Sequence, residues 1–388
     1  VCAVDEFVMG CIVFLLQTFA QDRVSEAWSM VVRLSDVAEQ AQVSVATVSK
    51  IVNRANGWDL YSEDCIKRVL AAAEELGYRP NYHARSLQTG RANALGLVTI
   101  SPEGNSGWNE FWSPVVAGAD AEALATGNQF VIIGPSGRES GIDRGLGFWQ
   151  ERRIDALIAP SFIQAIHPEI CASTDAPLVV MGTSPEDSPV PCVGLDDAAG
   201  IREAVAHLAS FGHRRLLWFG PDKPADAAAS SRQSAFDASA AAHDCRGVSL
   251  SVARPATGWP NRAEDAVAWA RAAFLEGWLS GQRGTAVVCF DERMAFGVYA
   301  AANELGLRIP DDLSVIGFDD IHASMAYPAM TVVSHMLQQI GRSAARLALE
   351  MVGDRRAWKR LRGRRERVPA TLVIRQSTGP APASNHIA

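Results

Sequence analysis

The residues best suited to do chemistry in this chain form one short run, Leu34-Ser-Asp-Val-Ala-Glu-Gln-Ala-Gln-Val-Ser-Val-Ala-Thr-Val-Ser-Lys-Ile-Val-Asn53. Val37, Ala38 and Ala41 are spaced for the buried face of one helix, and Val48, Ile51 and Val52 for that of a second. Ser44 stands where its hydroxyl can accept from the free N–H groups of the second helix. Val45, Ala46, Thr47, Ser49 and Lys50 are left on the other side. Small apolar groups can meet a thymine methyl, hydroxyls can reach phosphate, and one long cation can reach guanine or phosphate. Such a face suits the major groove of DNA. On spacing alone, an ordinary helical hairpin with a polar face fits equally well.

The elements that must position these residues extend in both directions. Ser62 can cap a third helix, whose Ile66, Val69, Leu70, Ala73 and Leu76 form an apolar stripe. Gly77 ends it and Pro80 opens a new segment. From Leu95 onward, short apolar runs alternate with helical patterns. Residues 95–100, 129–133, 155–159, 178–181, 215–219, 248–252, 285–290 and 313–318 read as strands, with helices such as 114–125, 201–210 and 263–279 between them. Strand–helix alternation implies parallel sheets covered on both faces. Ligands in such sheets sit at the carboxyl ends of strands, which makes Asp291 the strongest candidate and Phe111, Trp112, Ser161 and Asp319 further ones. Two other readings stand beside these: Asp291 can cap the helix that follows it, and the aromatic residues can be core.

Composition narrows the class. A chain of 388 residues with 48% hydrophobic and 20% charged residues suits two or three domains with a large core. Its net charge of −7 argues against a broadly basic nucleic-acid coating, so any DNA contact must be local. The seven cysteines are odd in number and scattered, without a Cys-x-x-Cys pair, which fits reduced cytoplasmic thiols better than disulfides or zinc. There is no Gly-x-x-x-x-Gly-Lys phosphate loop, no His-Glu-x-x-His and no Gly-x-Ser-x-Gly turn. No enzyme, metal or cofactor is expected.

Residues 33–92 resemble the DNA-binding headpiece of the LacI/GalR family of bacterial transcription regulators. The resemblance rests on Asp36-Val-Ala, Val43-Ser-Val-Ala-Thr-Val-Ser-Lys50, Asn53, Arg68-Val-Leu-Ala-Ala-Ala-Glu-Glu-Leu-Gly-Tyr-Arg-Pro-Asn81 and Ala84-Arg-Ser-Leu87, and it continues through 95–375. It implies a small all-α helix-turn-helix domain (31–80), a hinge helix and linker (81–92), and an α/β two-lobed periplasmic-binding-protein-like domain (93–376) for effector binding and dimerisation. In that reading Val45, Ala46 and Lys50 face base edges, while Ser44, Thr47 and Ser49 contact phosphates or cap the helix. Arg33 and Asn53 belong to the same surface. Arg33 stands where relatives carry a capping Thr, so Ser35 is expected to cap the first helix instead. Asn81, Ala84, Arg85 and Leu87 form the hinge element, with Leu87 matching a residue that wedges into the minor groove.

The resemblance also implies an effector cleft between the lobes, lined by Trp112, Ser161, Arg232, Trp259, Asp291 and Asp319, with crossings near 193–196, 320–325 and 334–336. Asp291 would accept from sugar hydroxyls, Arg232 would donate, and Trp259 could stack on a sugar face. Met181-Gly182 departs from the acidic residue that many sugar-responsive relatives place there. The expected protein is thus a cytoplasmic homodimeric regulator, in most cases of the family a repressor, acting on a pseudo-palindromic operator under control of a carbohydrate-like effector. The alternative is a soluble carbohydrate-binding protein without DNA activity. Residues 1–30 are expected to be a non-native extension, because Met30 stands where members of the resembled family usually begin. The rival reading is a membrane anchor, against which the apolar run 7–20 is shorter than the ~20 residues needed to span a bilayer. The basic run 355–367 is expected on a solvated loop before the final strand and is not assigned to DNA, and 377–388 is expected as a disordered tail without a heptad pattern.

Overall fold

A computed structural model describes residues 32–54, 57–79, 86, 90–99, 112–161, 163–173, 175–184, 188–221, 227–253, 263–352 and 355–383. The expectations for residues 1–30, Asn81, Ala84, Arg85, Leu87, Phe111 and Trp259 lie outside them. Two compact units divide between Gly90 and Arg91.

The first unit holds helices α1 (Leu34–Ala41), α2 (Val45–Val52) and α3 (Glu63–Glu75), with a short 3-10 turn at Trp58–Leu60. Val37, Ala38, Ala41, Val48, Ile51, Val69, Ala72 and Ala73 form its core. The small side chains let three short helices approach closely around one apolar centre. The expected stripe on α3 is shifted by part of a turn: Leu70 is 47% exposed and Ala72 is buried in its place. Hydrophobicity alone misassigned Leu70, because packing against the small α1 and α2 faces favours an alanine there.

The second unit contains two lobes, each built on a six-stranded sheet. In chain order its elements are β1 (Ala94–Val98), α4 (Trp112–Ala125), β2 (Gln129–Ile133), α5 (Gly141–Gln150), β3 (Ala156–Pro160), α6 (Ile163–Ile166), α7 (Pro168–Ser173), β4 (Leu178–Met181) and β5 (Cys192–Asp196). Then follow α8 (Asp197–Ser210), β6 (Arg215–Pro221), α9 (Ala227–Ala242), β7 (Arg246–Val252), α10 (Ala263–Leu279), β8 (Ala286–Cys289), α11 (Glu292–Glu304), β9 (Ser314–Asp319) and β10 (Thr331–Ser334). The last are α12 (Leu337–Met351), α13 (Arg355–Leu361), β11 (Arg365–Pro369) and β12 (Thr371–Val373). Lobe 1 has the order β11-β5-β4-β3-β1-β2, all parallel. Lobe 2 has β12-β10-β9-β8-β6-β7, parallel except for β12. The expected parallel sheets are therefore present, and the central strands β1, β3, β4 and β8 are buried on both faces, while the edge strands β2, β7, β11 and β12 are partly exposed.

Three details differ from the sequence expectations. The chain passes between lobes after β5, between β10 and α12, and between β11 and β12, so 369–371 replaces 320–325 as the third crossing. The segment 320–325 stays with lobe 2 because Glu292 accepts the backbone N–H groups of Ile321, His322 and Ala323 at 2.7–3.0 Å. The basic run is not a loop: it forms α13 and edge strand β11, which pairs with β5, with Val368 buried beside half-buried Arg365 and exposed Arg367. Nor is 377 onward a free tail. Ser377 is fully buried, Thr331 N donates to its Oγ at 2.8 Å, and Ala381 N donates to Phe211 O at 2.8 Å. Short hydroxyl and backbone contacts anchor this segment, and they leave no apolar period to read in sequence.

Candidate DNA-reading surface and effector cleft

In the first unit, Ser44 caps α2: its Oγ accepts from Thr47 N at 3.1 Å and lies 2.8 Å from Thr47 Oγ1. Thr47 is thereby turned onto the cap. Ser44, Val45, Ala46 and Lys50 are exposed, Val45 by 47%. They form the outward face read in the sequence, two small apolar groups with one cation. Asn53 turns back instead, with Nδ2 donating to Ser49 O at 2.9 Å, so it closes the end of α2 together with half-buried Ser49. Arg33 is exposed at the start of α1. The cap of α1 is not Ser35: the Asp36 carboxylate accepts from Arg33 N at 2.8 Å, because an acidic side chain at the third helical position can reach back.

In the second unit, five ionisable side chains meet where the lobes join. Asp197 opens α8 just after the first crossing, and His335 follows β10 at the second. Arg232 on α9 donates through Nε to Asp197 Oδ2 at 2.8 Å and through its terminal nitrogen to Phe290 O at 2.5 Å. His335 Nε2 sits 2.9 Å from Asp197 Oδ1. Its Nδ1 lies 2.8 Å from Asp319 Oδ1, an ion-pair distance. Asp291 is the N-cap of α11, accepting from Met294 N at 2.8 Å while Arg293 donates to its other oxygen at 2.8 Å. The planar Arg232 guanidinium is also sandwiched by Phe290 and Phe318, at 4.7 and 4.2 Å from the ring centres.

Burial would by itself push the Asp197 carboxyl up; Arg232 and His335 outweigh it and hold the group well below the ordinary carboxylate range. Asp319 is lowered in the same way, by His335 and Arg232 against its burial. Burial alone would make His335 easier to deprotonate, but Asp197 and Asp319 raise it instead. Opposite charges therefore lock one another in their ionised forms. The cluster is a clasp across two crossings, and its polar atoms are largely engaged within the protein.

Beside it lies a cavity of about 330 Å³ whose walls include Pro114 of α4, Asp319, Ser334, Met336, Leu337 and Arg342. Both lobes contribute to it through α4, α12 and the ends of β9 and β10. The packing of α12 on α4 is tight: a Cβ on Gly118 would run into the Gln338 carbonyl, and one on Gly341 into the Val115 carbonyl. Movement at the mouth of the cavity would thus carry α4 and α12 together.

The structure brings Arg232, Asp291 and Asp319 into one cluster, but only Asp319 of these reaches the cavity wall. Trp112 is half-buried against the core of lobe 1. Ser161 lies at the carboxyl end of β3, its N–H donating to Met181 O at 2.7 Å, with no direct contact to the clasp among the described residues. Sequence reasoning missed Asp197, His335 and Arg342. The first two stand directly after strands at crossings, and that position was the signal available. Arg342, one turn inside α12, gave none. Among the described residues no helix is long and apolar enough to cross a membrane.

Comparison with known proteins places these features in context. Residues 33–81 match the model for bacterial regulatory proteins of the lacI family, and residues 205–378 match the periplasmic binding protein-like domain. The chain is 26% identical over 356 residues to the HTH-type transcriptional regulator DegA of Bacillus subtilis, covering 89% of this chain and 97% of that protein. It is 26% identical over 348 residues to the HTH-type transcriptional repressor PurR of Photobacterium profundum, covering 89% and 98%. Among solved structures, the lac repressor dimer bound to operator and the anti-inducer ONPF superposes with a TM-score of 0.71 at 25% identity, over 90% of this chain and 99% of that one. A transcriptional regulator CelR–cellobiose complex, at 23% identity and TM-score 0.58, shares the fold over 89% of this chain and 99% of that one.

Proposed function

The chain belongs to the lacI family of bacterial regulatory proteins, and from that premise we propose that it is a cytoplasmic repressor whose hold on its operator is set by a small polyhydroxylated effector bound between the two lobes. It is a DNA-binding transcriptional regulator and not an enzyme, and it acts as a homodimer on operator DNA. The repressor role takes support from the PurR relatives, and the effector class from the cellobiose named with the CelR structure.

The observation that carries the reading is the pairing, in one chain, of an exposed Val45–Ala46–Lys50 face with a ligand-sized cavity set against a charged clasp. A headpiece reads one half-site, so a two-fold pair of chains reads a pseudo-palindrome. Asn81–Gln88 serves as the hinge that closes on the minor groove when two copies are held together, with Leu87 as its wedge and Ala84 and Arg85 beside it. Effector in the cavity changes the lobe angle at the crossings and so the spacing of the two hinges. Coupling of this kind is commonly worth ~1–3 kcal/mol, a ~5–150-fold change in operator affinity. The effector contacts run through Asp319 and its neighbours on the cavity wall, with Arg232 and Asp291 positioning them from behind and Ser161 and Trp112 on the lobe surfaces that close over the ligand. Trp259, outside the described residues, is a candidate for stacking on a sugar face.

A thermal-shift screen of sugars, sugar acids and sugar phosphates on the purified chain, followed by gel shifts with promoter fragments, tests the reading. A stabilising compound that also changes the gel shift supports it. A compound that stabilises the protein but leaves DNA binding untouched would refute the proposed control.

A further inference from the structure

We infer that the end of lobe 1 from which the linker departs is a second, sequence-independent contact surface for the DNA phosphate backbone. All six strands of lobe 1 run the same way, so their starting ends lie together. The linker enters at that end: Ala92 N donates to Asp155 Oδ1 at 2.8 Å, and Asp155 stands just before β3. The basic run arrives at the same end from the other side of the sheet. Cys192 N, at the start of β5, donates to Arg364 O at 2.9 Å, and Arg362 donates to Ala172 O at 3.3 Å.

This end carries exposed Arg91, Arg152, Arg153, Arg362 and Arg364, with exposed Lys359 and Arg360 on the helix leading into it. Its carboxylates are mostly neutralised. Glu151 pairs with Arg153 at 3.4 Å, while Glu350 and Glu366 pair with Arg364 at 3.2 and 2.8 Å. Asp155 accepts from Ala92 N but keeps its charge, as does exposed Asp175, so five carboxylates at this end stand against seven Lys/Arg. Arg152, Lys359 and Arg360 have no carboxylate partner among the described residues. A surplus of positive charge therefore gathers at one end of a chain whose net charge is −7.

The band spans from β1 to β11, four strand spacings or about 19 Å. A duplex presents one phosphate charge per ~1.7 Å of axis, so several phosphates would face a band of that width. DNA is the occupant because the DNA-reading unit is tethered here. Eleven residues separate Arg79 from Arg91, a reach of at most roughly 40 Å even when fully extended. An acidic protein would find the same charge, but nothing tethers one to this end. The inference rests on the DNA-binding assignment and adds to it a contact outside the headpiece.

The test compares the full-length parent with the triple variant Arg152→Glu/Lys359→Glu/Arg360→Glu and with Arg308→Glu in lobe 2. The probe is a labelled 40-base-pair duplex selected from a random library by the parent, and fluorescence anisotropy is read across a salt series. The triple variant should bind roughly tenfold more weakly at low salt, with a log–log salt slope shallower by about 0.9 for each phosphate that no longer meets a cation. Arg308→Glu should bind as the parent does, and Lys359→Arg/Arg360→Lys should retain affinity. A folded triple variant as tight and as salt-sensitive as the parent overturns the inference alone and leaves the band to an acidic protein. A parent that selects no duplex overturns the DNA-binding assignment and this inference with it.

Discussion

The proposed DNA-reading face of α2 and the clasp at the lobe crossings use polar residues in opposite ways. On α2, Val45, Ala46 and Lys50 are exposed and attached to a backbone already capped by Ser44, so each of the three can be changed with little effect on folding. At the clasp, Asp197 and Arg232 are almost wholly buried, His335 is 0% exposed, and each depends on the others for its charge. In the proposed reading, specificity belongs to the first surface and coupling to the second. A surface that must meet an external partner keeps its groups available, whereas a surface that must transmit a change between lobes engages them internally.

The largest expected effect breaks that contrast at its buried end. Arg232→Ala leaves Asp197 facing only His335, and removes a cation that also attracts Asp319 and Asp291. Uncompensated buried charge costs about 3–5 kcal/mol when one partner of a buried pair is removed. Urea denaturation of the full chain should show that loss in the transition of the larger unit, while the headpiece transition stays in place. A drop under roughly 1 kcal/mol, the range of an exposed ion pair, would mean that the clasp is not closed in solution.

At the exposed end, Lys50→Ala should leave stability unchanged and lower operator affinity by about 1–3 kcal/mol, toward the lower figure because an ammonium lacks the planar fork of arginine. Competition binding with base-substituted operators checks it. Discrimination at one base pair in each half-site should relax while the others hold.

This contrast also explains what could be read from the sequence. The α2 face was legible because helical period and a cap are local facts, and Val37, Ala38, Ala41, Val48 and Ile51 are buried as their spacing implied. The strands of both lobes were legible as apolar runs, except β5, β10, β11 and β12, whose short or charged sequences form strands only because a neighbour supplies the ladder. The clasp was half legible. Arg232, Asp291 and Asp319 were named, but Asp197 and His335 are 138 residues apart, and no local pattern pairs them. Asp291 shows the same limit: its N-cap role, the plainer of the two readings, is what the geometry displays.

A smaller effect sharpens the comparison through pH. His335 is raised above its ordinary value, so its stabilisation is complete below ~6.5 and is lost as pH rises through the raised value. Asp197 and Asp319 are lowered, so theirs is present above ~3.8 and is lost as pH falls through the lowered values. The clasp is therefore strongest between about pH 4 and 6.5. His213 acts in the other direction: burial lowers it, so its share is present above ~6.5 and is lost on acidification. The parent curve mixes both. The difference between the parent and His335→Gln isolates the clasp, and it should shrink from about pH 6 to about pH 9. A constant difference across that range would show that His335 is neutral throughout.

The smallest effect belongs to the exposed side again. Ser44→Ala removes the one side-chain acceptor at the start of α2 and leaves the Thr47 N–H to water. Losing such a cap costs about 1 kcal/mol of helix stability. Thr47 is freed at the same time, since its hydroxyl no longer has Ser44 beside it at 2.8 Å. Two outcomes then separate a capping role from a phosphate-contacting one. If Ser44 only caps, operator affinity falls in step with headpiece stability, and Ser44→Asp restores stability and affinity together. If Ser44 also touches phosphate, Ser44→Asp restores the melting temperature but weakens DNA binding further, because a carboxylate beside the backbone repels it. Melting and anisotropy on the same three proteins decide between them.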